Sequence, residues 1–349
     1  MKTVLALAIA FLSLASAAAQ DTAASEATKR VDTLRYGIET QVIELLTTLE
    51  SEKNDDYATE IIAAFDASTS PKLKAAILGY LGSMKLRDAE KRSAEIIEKR
   101  DTRQDALVAA AFQYLLALKS SAALSEAVEI VEEEDKRYLQ AAIRMIGASG
   151  SDAEAEALRK AYESDGVDQQ TKEAVVLALG AMKSASSYEL IASVAASDES
   201  TKALRMYACT ALGDLGDDRG VAVLIAASVS ADPNVRAAAV AALGNFSTDE
   251  ARAAAREALR DAHVLPRIAA AKAAGKSRDE AAVPFLQFKV SYDPEKAVKE
   301  ASIAALADIG GARIDEFLAS YVDEPKNAAA FRGAALGAGI AKGGGEARA

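Results

Sequence analysis

The sequence predicts an all-α protein, an α-α superhelix (a solenoid) of about nine stacked helix pairs. The first observation is an anchor position, usually the glycine of a Leu-Gly pair, that recurs about every 32 residues from Asp55 to Gly337. A fixed period of this length is typical of stacked supersecondary units. The anchor position falls at Gly82, Leu116, Gly147, Gly180, Gly213, Gly244, Gly275, Ala307 and Gly337.

The second observation is that each period holds two helical segments separated by a turn. In the period that ends at Gly244, residues 220–228 are an apolar first helix, and Asp232 caps a second helix with Pro233 in its first turn. Gly244 is predicted to end that helix in the left-handed conformation that glycine tolerates. First helices are predicted at Ala58–Phe65, Ala89–Glu98, Leu124–Glu132, Ala153–Tyr162, Tyr188–Ala195, Gly220–Ser228, Glu250–Arg260, Val283–Val290 and Ile314–Tyr321.

The third observation is the composition. Half of the residues are hydrophobic and alanine dominates them, whereas aromatic residues make up only 5% and tryptophan is absent. Strand-rich proteins carry more β-branched and aromatic residues. The composition therefore favours helices that pack closely through small side chains.

The N-terminus reads as a secretory signal over residues 1–19. Lys2 supplies the positive charge, residues 4–14 the apolar core and residues 17–19 the small-residue cleavage site. The alternative is an uncleaved membrane anchor, but the apolar run is shorter than the ~20 residues that span a bilayer. The sequence thus predicts an exported protein, periplasmic or secreted, with no membrane span after cleavage.

The rest of the chain divides by the limits of the repeat. Residues 20–54 are predicted to form a flexible leader followed by an N-terminal capping helix over Val31 to Leu49. The array occupies 55–340 as one domain, because stacked repeats fold against their neighbours. The glycine-rich end, 341–349, is predicted to be a disordered tail.

The charge pattern argues against nucleic acid as a partner. The net charge is −11 and the isoelectric point about 4.9, whereas phosphate binding needs a basic surface. One stretch is nevertheless rich in positive charge, and it is either a solvated surface with ordinary ion pairs or a patch that recognises an acidic partner. Its members are Arg236, Arg252, Arg256, Arg260, Arg267, Lys272, Lys276 and Arg278.

Residues that carry chemistry are scarce. His263 is the only histidine and Cys209 the only cysteine, which excludes metal sites built from several of either. The run from Gly213 to Asp218 lacks the spacing and closing glutamate of a calcium loop, and no phosphate-binding loop is present. The sequence therefore predicts a protein that is not an enzyme and has no cofactor.

Several segments resemble the HEAT-like repeats first described in phycobilin lyases. They are DPNVRAAAVAALG at 232–244, DPEKAVKEASIAAL at 293–306, TKALRMYACTALGDLGD at 201–217 and AAVPFLQF at 281–288. The resemblance covers most of the chain and implies the helical solenoid fold, but this repeat serves many unrelated functions. The iron-dependent deoxyhypusine hydroxylases share such repeats but use several histidines, which this chain lacks.

The function that these observations favour is a non-enzymatic scaffold or adaptor that binds another protein in the bacterial periplasm or envelope. Second helices usually line the concave face of a solenoid, and the partner is expected there. The alternatives are a small-ligand-binding or lyase-type chaperone and a structural subunit of a larger envelope assembly. The candidate partner-binding residues are Arg205, Tyr207, Arg236, Arg267, Lys299 and Glu300.

Overall fold

The computed structural model describes residues 24–342, and within that range it contains twenty α-helices and no strand. The all-α prediction is therefore confirmed. The predicted signal at 1–19 and most of the predicted tail lie outside the described residues. The helices are α1 (24–36), α2 (Glu39–Glu52), α3 (Ala58–Ala67), α4 (Pro71–Ser83), α5 (Glu90–Lys99), α6 (Asp105–Leu118), α7 (Leu124–Glu132), α8 (Leu139–Ser149), α9 (Asp152–Glu163), α10 (Gln169–Ala181), α11 (Tyr188–Ala196), α12 (Lys202–Leu215), α13 (Gly220–Ala227), α14 (Pro233–Leu243), α15 (Asp249–Glu257), α16 (Val264–Lys276), α17 (Val283–Tyr292), α18 (Lys296–Ile309), α19 (Ala312–Asp323) and α20 (Ala329–Lys342).

The contacts divide the chain into two compact units, Met1–Glu129 and Ile130–Ala349, with the boundary inside α7. In the first unit, α4 packs against α2 and against α6, and α5 packs against α6. The core there is aliphatic with four buried aromatic side chains, Phe65, Tyr80, Phe112 and Tyr114. Its largest buried residues are Leu49, Ile61, Ile77, Leu78, Leu81, Ile97, Phe112, Tyr114 and Leu115.

The N-terminal cap differs from its prediction. Instead of a flexible leader and one helix, residues 24–30 already belong to α1, and the chain breaks at residues 37 and 38 before α2. A Cβ at Gly37 would lie 2.5 Å from the carbonyl oxygen of Thr33, so glycine permits this break. The Gln41 side chain then accepts a hydrogen bond from the backbone N–H of Ile38 and starts α2.

The second unit is a row of second helices, each packed against the next. They run in the order α8, α10, α12, α14, α16, α18 and α20, with α9, α11, α13, α15, α17 and α19 as the first helices between them. Asp232 accepts hydrogen bonds from the N–H groups of Asn234 and Val235 and Pro233 begins α14, which confirms the predicted cap. Each second helix in the row therefore has one exposed side, and the exposed sides of successive second helices lie next to one another.

The anchor glycines serve a different purpose from the predicted one. Gly244 has φ −64° and is right-handed, so the prediction of a left-handed helix end was wrong. A Cβ at Gly244 would lie 2.8 Å from the Cα of Ala273, and a Cβ at Gly180 would lie 2.5 Å from the Cα of Ala211. Glycine is needed because the backbones of neighbouring second helices approach each other too closely at the anchor to leave room for a Cβ. Left-handed residues instead lie three positions after several of the anchors, at Lys85, Lys119, Lys183, Gly216 and Arg278.

Candidate protein-interaction surface

Four of the six candidate residues share one register, eight positions before an anchor. They are Arg205, Arg236, Arg267 and Lys299. Each reaches back to carbonyl oxygens at the end of its own first helix or in the turn that follows. Arg236 donates to the carbonyls of Ser230 at 2.9 Å and Ala231 at 3.1 Å. Lys299 donates to those of Val290 at 3.2 Å and Ser291 at 3.0 Å. This register therefore closes the turn between the two helices of a repeat.

Two of these cations also join one repeat to the next. The guanidinium of Arg236 donates two hydrogen bonds to Asp261, at 2.7 and 2.8 Å, and that of Arg267 donates two to Asp293, both at 3.0 Å. The hydrogen bonds from Arg236 hold the pKa of Asp261 below its ordinary value. Arg267 is only 7% exposed. We therefore place Arg236 and Arg267 in the inter-repeat contacts and leave them out of the interaction surface.

The other candidates differ in what they leave exposed. Arg205 pairs with Asp198 at 2.7 Å, so its charge is also engaged within the chain. Glu300 is exposed and forms a surface ion pair with Lys296 at 3.3 Å. Tyr207 is 36% exposed on α12, two residues after Arg205 and therefore on a different side of the helix. Among the candidates, Tyr207 is the exposed side chain that has no ion pair or hydrogen bond within the described residues.

Tyr207 belongs to a continuous surface formed by α12, α14 and α16, which we name the α12–α16 face. Its members are Met206, Tyr207 and Thr210 on α12, Asn234, Ala237, Ala238, Ala241 and Asn245 on or next to α14, and Leu265, Ile268, Lys272 and Lys276 on α16. All are exposed or half-exposed. The α16 members are three or four residues apart and so form one stripe along the helix. Close contacts hold the three helices side by side: a Cβ at Gly213 of α12 would lie 2.9 Å from the Cβ of Ala242 on α14, and Gly244 meets Ala273 of α16 as described above.

The shape of this face follows from the sizes of its side chains. The middle helix, α14, offers only alanine between its two asparagines, whereas the flanking helices offer Tyr207 and Met206 on one side and Leu265 and Ile268 on the other. The α14 surface is therefore a shallow trough between two bulkier rims. Exposed aliphatic and aromatic side chains around a small-residue floor are typical of surfaces that bind a partner.

The structure separates the eight cations of the basic stretch into two groups. Five have contacts within the chain, and Arg236 and Arg267 have been described above. Arg256 pairs with Asp279 at 2.7 Å, and Arg260 pairs with Glu257 at 2.8 Å. Arg252 donates a hydrogen bond to the carbonyl of Ser277 at 3.4 Å. The other three are Lys272, Lys276 and Arg278. In the described part of the chain none of these three contacts a carboxylate, and Lys276 bonds only the Asn245 side-chain oxygen, at 2.6 Å. Five of the eight cations thus have contacts within the chain, and for the other three a patch that recognises an acidic partner stays a prediction.

A groove of about 770 Å³ opens beside the turns that precede α12 and α14. Arg205 and Lys202 line it, and both are paired, Lys202 with Asp232 at 2.7 Å. Val229 is exposed at its rim. The groove is wide and open, and its charged groups satisfy one another.

An aromatic pair on α17 was not expected from the sequence. Phe288 is 57% and Tyr292 72% exposed, and their ring centroids are 5.0 Å apart. The i, i+4 spacing of two aromatic residues in VPFLQFKVSY was the available signal. On the preceding first helix, α15, the exposed positions carry Glu257 and, just after its end, Arg260 instead.

The histidine contributes to the start of a helix, and the cysteine is part of the buried core. His263 precedes α16, and its Nδ1 accepts a hydrogen bond from the backbone N–H of Leu265 at 3.2 Å. Cys209 is fully buried on α12, and burial raises the pKa of its thiol to about 11. Across residues 24–342 no group of three or more His, Cys, Asp or Glu side chains is arranged to hold a metal ion. In the same range, no helix combines the length and apolarity that crossing a membrane requires.

Comparison with known proteins gives one family match. The family described as spirochaete HEAT repeat protein matches residues 34–347. No curated protein sequence matches the chain. Human deoxyhypusine hydroxylase in complex with glycerol is 18% identical, with 74% of this chain and 97% of that chain covered and a TM-score of 0.33. An engineered protein is 16% identical, with coverage of 90% and 97% and a TM-score of 0.40. Neither structural likeness bears on activity.

Proposed function

Because the chain belongs to the spirochaete HEAT repeat protein family, we propose that it is a non-enzymatic scaffold or adaptor that binds another protein in the bacterial envelope. The signal-like residues 1–19 support a place in the periplasm. The partner binds through shape and charge complementarity on the exposed sides of the second helices. Repeat arrays provide such extended surfaces because each repeat adds one more exposed helix side to the row.

The observation that carries this proposal is the α12–α16 face. It exposes apolar side chains, and cations that form no ion pair within the described residues, next to a register in which every cation is hydrogen-bonded within the chain. Tyrosine is among the residues that contribute most of the energy in protein interfaces when they become fully buried. Tyr207 supplies such an anchor on one rim, and Leu265, at 38% exposure, adds apolar area on the other.

The test is an affinity capture with the mature chain, residues 20–349, from the envelope fraction of the source cells. The wild type is compared with the double variant Tyr207→Ser plus Leu265→Ser, and Phe288→Ser on α17 serves as the matched control. We expect a stoichiometric protein that the wild type and the control retain and the double variant loses by about tenfold or more. Recovery of a small molecule with no protein would contradict the proposal and favour a ligand-binding role.

A further inference from the structure

Lys272 and Lys276 lie one turn apart on the exposed stripe of α16, and Arg278 follows two residues later. Like charges at this spacing repel each other within a helix. Cations near a helix C-terminus interact favourably with the helix dipole, which accounts for Lys276 and Arg278. Lys272 lies a full turn earlier, where the dipole effect has faded. In a chain of net charge −11, these three cations face solvent with no carboxylate partner in residues 24–342.

The opposite end of the same stripe is apolar. Leu265 and Ile268 precede Lys272 along α16, and Met206 and Tyr207 face them from α12 across the alanines of α14. Along α16 the face thus changes from apolar to cationic, whereas on α12 the position that corresponds to Lys276 is the exposed Asp214. A ligand that matches the α16 side of the face is apolar toward one end and negatively charged toward the other.

The dimensions of the trough suit a single helix. Packed helices lie about 9 Å apart, so α12 and α16 are roughly 18 Å from each other with α14 between them. A helix with side chains is ~10 Å wide. One partner helix laid over α14 would therefore contact both rims, and the alanine floor allows it to approach closely. Helices that bind in grooves use apolar residues at i, i+3, i+4 and i+7 spacing in this way.

We propose that the α12–α16 face binds an acidic amphipathic helix of a partner protein. Its apolar side lies over the alanines of α14 between Tyr207 and Ile268, and its carboxylates pair with Lys272 and Lys276. This rests on the proposed function and adds the chemistry of the partner segment and its position. Charge complementarity selects a helix of this type and disfavours basic segments.

The test places a photo-crosslinking amino acid, p-benzoylphenylalanine, at Ala241 in the trough of the chain 20–349. A second version carries it at Phe288 on α17 as the positional control. After irradiation in the envelope extract, the crosslinked peptides are sequenced by mass spectrometry. We expect one partner protein crosslinked at Ala241 through a segment with Asp or Glu on one side and apolar residues on the other, and little crosslinking from Phe288.

Charge variants test the acidic end of the segment. Lys272→Glu plus Lys276→Glu is expected to lower the crosslinked yield at Ala241 about tenfold, whereas Lys272→Arg plus Lys276→Arg keeps it. Raising the salt concentration should lower the wild-type yield, because exposed charge pairs are screened. A crosslinked segment without acidic residues, or an unchanged yield after charge reversal, overturns the inference while the scaffold function stands. Absence of any protein crosslinked from either position overturns both.

Discussion

The packed side and the exposed side of the second helices use the same residue types for opposite purposes. On the packed side of α16, Ala273 lies against Gly244 of the neighbouring helix, and Arg267 is paired with Asp293 of the next repeat. On the exposed sides, Ala241 of α14 forms an open floor, and Lys272 of α16 has no carboxylate partner in the described residues. The comparison shows that a residue's role here depends on which side of its helix faces the next repeat, and much less on its type.

The largest expected effect is on the glycine contact between α14 and α16. Gly244→Val would place a branched side chain where even a Cβ lies 2.8 Å from the Cα of Ala273. We expect a loss of about 3 kcal/mol or more in the free energy of unfolding, because the two helices must separate. The matched control is Ala241→Val, three residues earlier on the exposed side, with an expected loss of less than about 1 kcal/mol. Urea denaturation followed by circular dichroism measures both, and equal midpoints for the two variants would refute the contact.

The next largest effect concerns the paired cations. Arg267→Ala would leave the carboxylate of Asp293 buried with only Lys289, at 3.2 Å, as an ion-pair partner. We expect a loss of about 3 kcal/mol in the free energy of unfolding, since removing one member of a buried pair strands the other. Lys272→Ala on the exposed side of the same helix should change it by less than about 0.5 kcal/mol. A similar loss of unfolding free energy in Arg267→Ala and Lys272→Ala would show that the packed and exposed sides of α16 contribute equally to stability.

A third effect is a pH dependence confined to the packed side. The pKa of Asp261 is lowered in the folded chain, mainly by its hydrogen bonds from Arg236. The unfolded-state pKa is about 3.9, so this pair stabilises the fold fully above that pH and loses its contribution as pH falls toward the lower folded value. We expect the difference in Tm between the wild type and Arg236→Gln to be largest near neutrality. It should shrink steadily as the pH falls from about 5 to about 2.

The control for the pH experiment is Lys272→Gln, whose small difference in Tm from the wild type should stay constant over the same range. A constant difference for Arg236→Gln as well would mean that Asp261 titrates normally in the folded chain. A growing difference on acidification would reverse the sign derived above and contradict the pairing.

The smallest expected effect on stability belongs to a substitution that introduces an exposed thiol. The reactivity of that thiol, compared with the reactivity of Cys209, measures directly how accessible the exposed and packed sides are. Cys209 is fully buried on the packed side of α12, and burial raises the pKa of its thiol to about 11. It should react with a disulfide reagent such as 5,5′-dithiobis(2-nitrobenzoic acid) at pH 8 only as the chain unfolds. A second thiol introduced as Ala241→Cys should react at once, with little change in Tm. Rapid reaction of both thiols in the folded protein would contradict the packing of α12.

The sequence by itself determined the helix pairs, their order and the Asp232 cap that begins α14. The period, the Asp232 cap and the apolar first helices are local features, so the residues within one repeat suffice to specify them. The family match over residues 34–347 agrees with that period. The recurrence of glycine at the anchor could also be read from the sequence. The physical reason for glycine could not, because it is a close approach to an alanine about 30 residues away in the chain.

Only the tertiary structure decided which charged residues are available to a partner. Eight cations between Arg236 and Arg278 look alike in the sequence, yet five contact acceptors 3 to 26 residues distant and three contact no carboxylate within the described chain. Pairing depends on where the next repeat places its aspartates, and a period of about 32 residues with varying turns does not fix that to within hydrogen-bond distance. The same reason explains why Arg236 and Arg267 were chosen as candidates while Lys272 and Lys276, on the exposed stripe, were not.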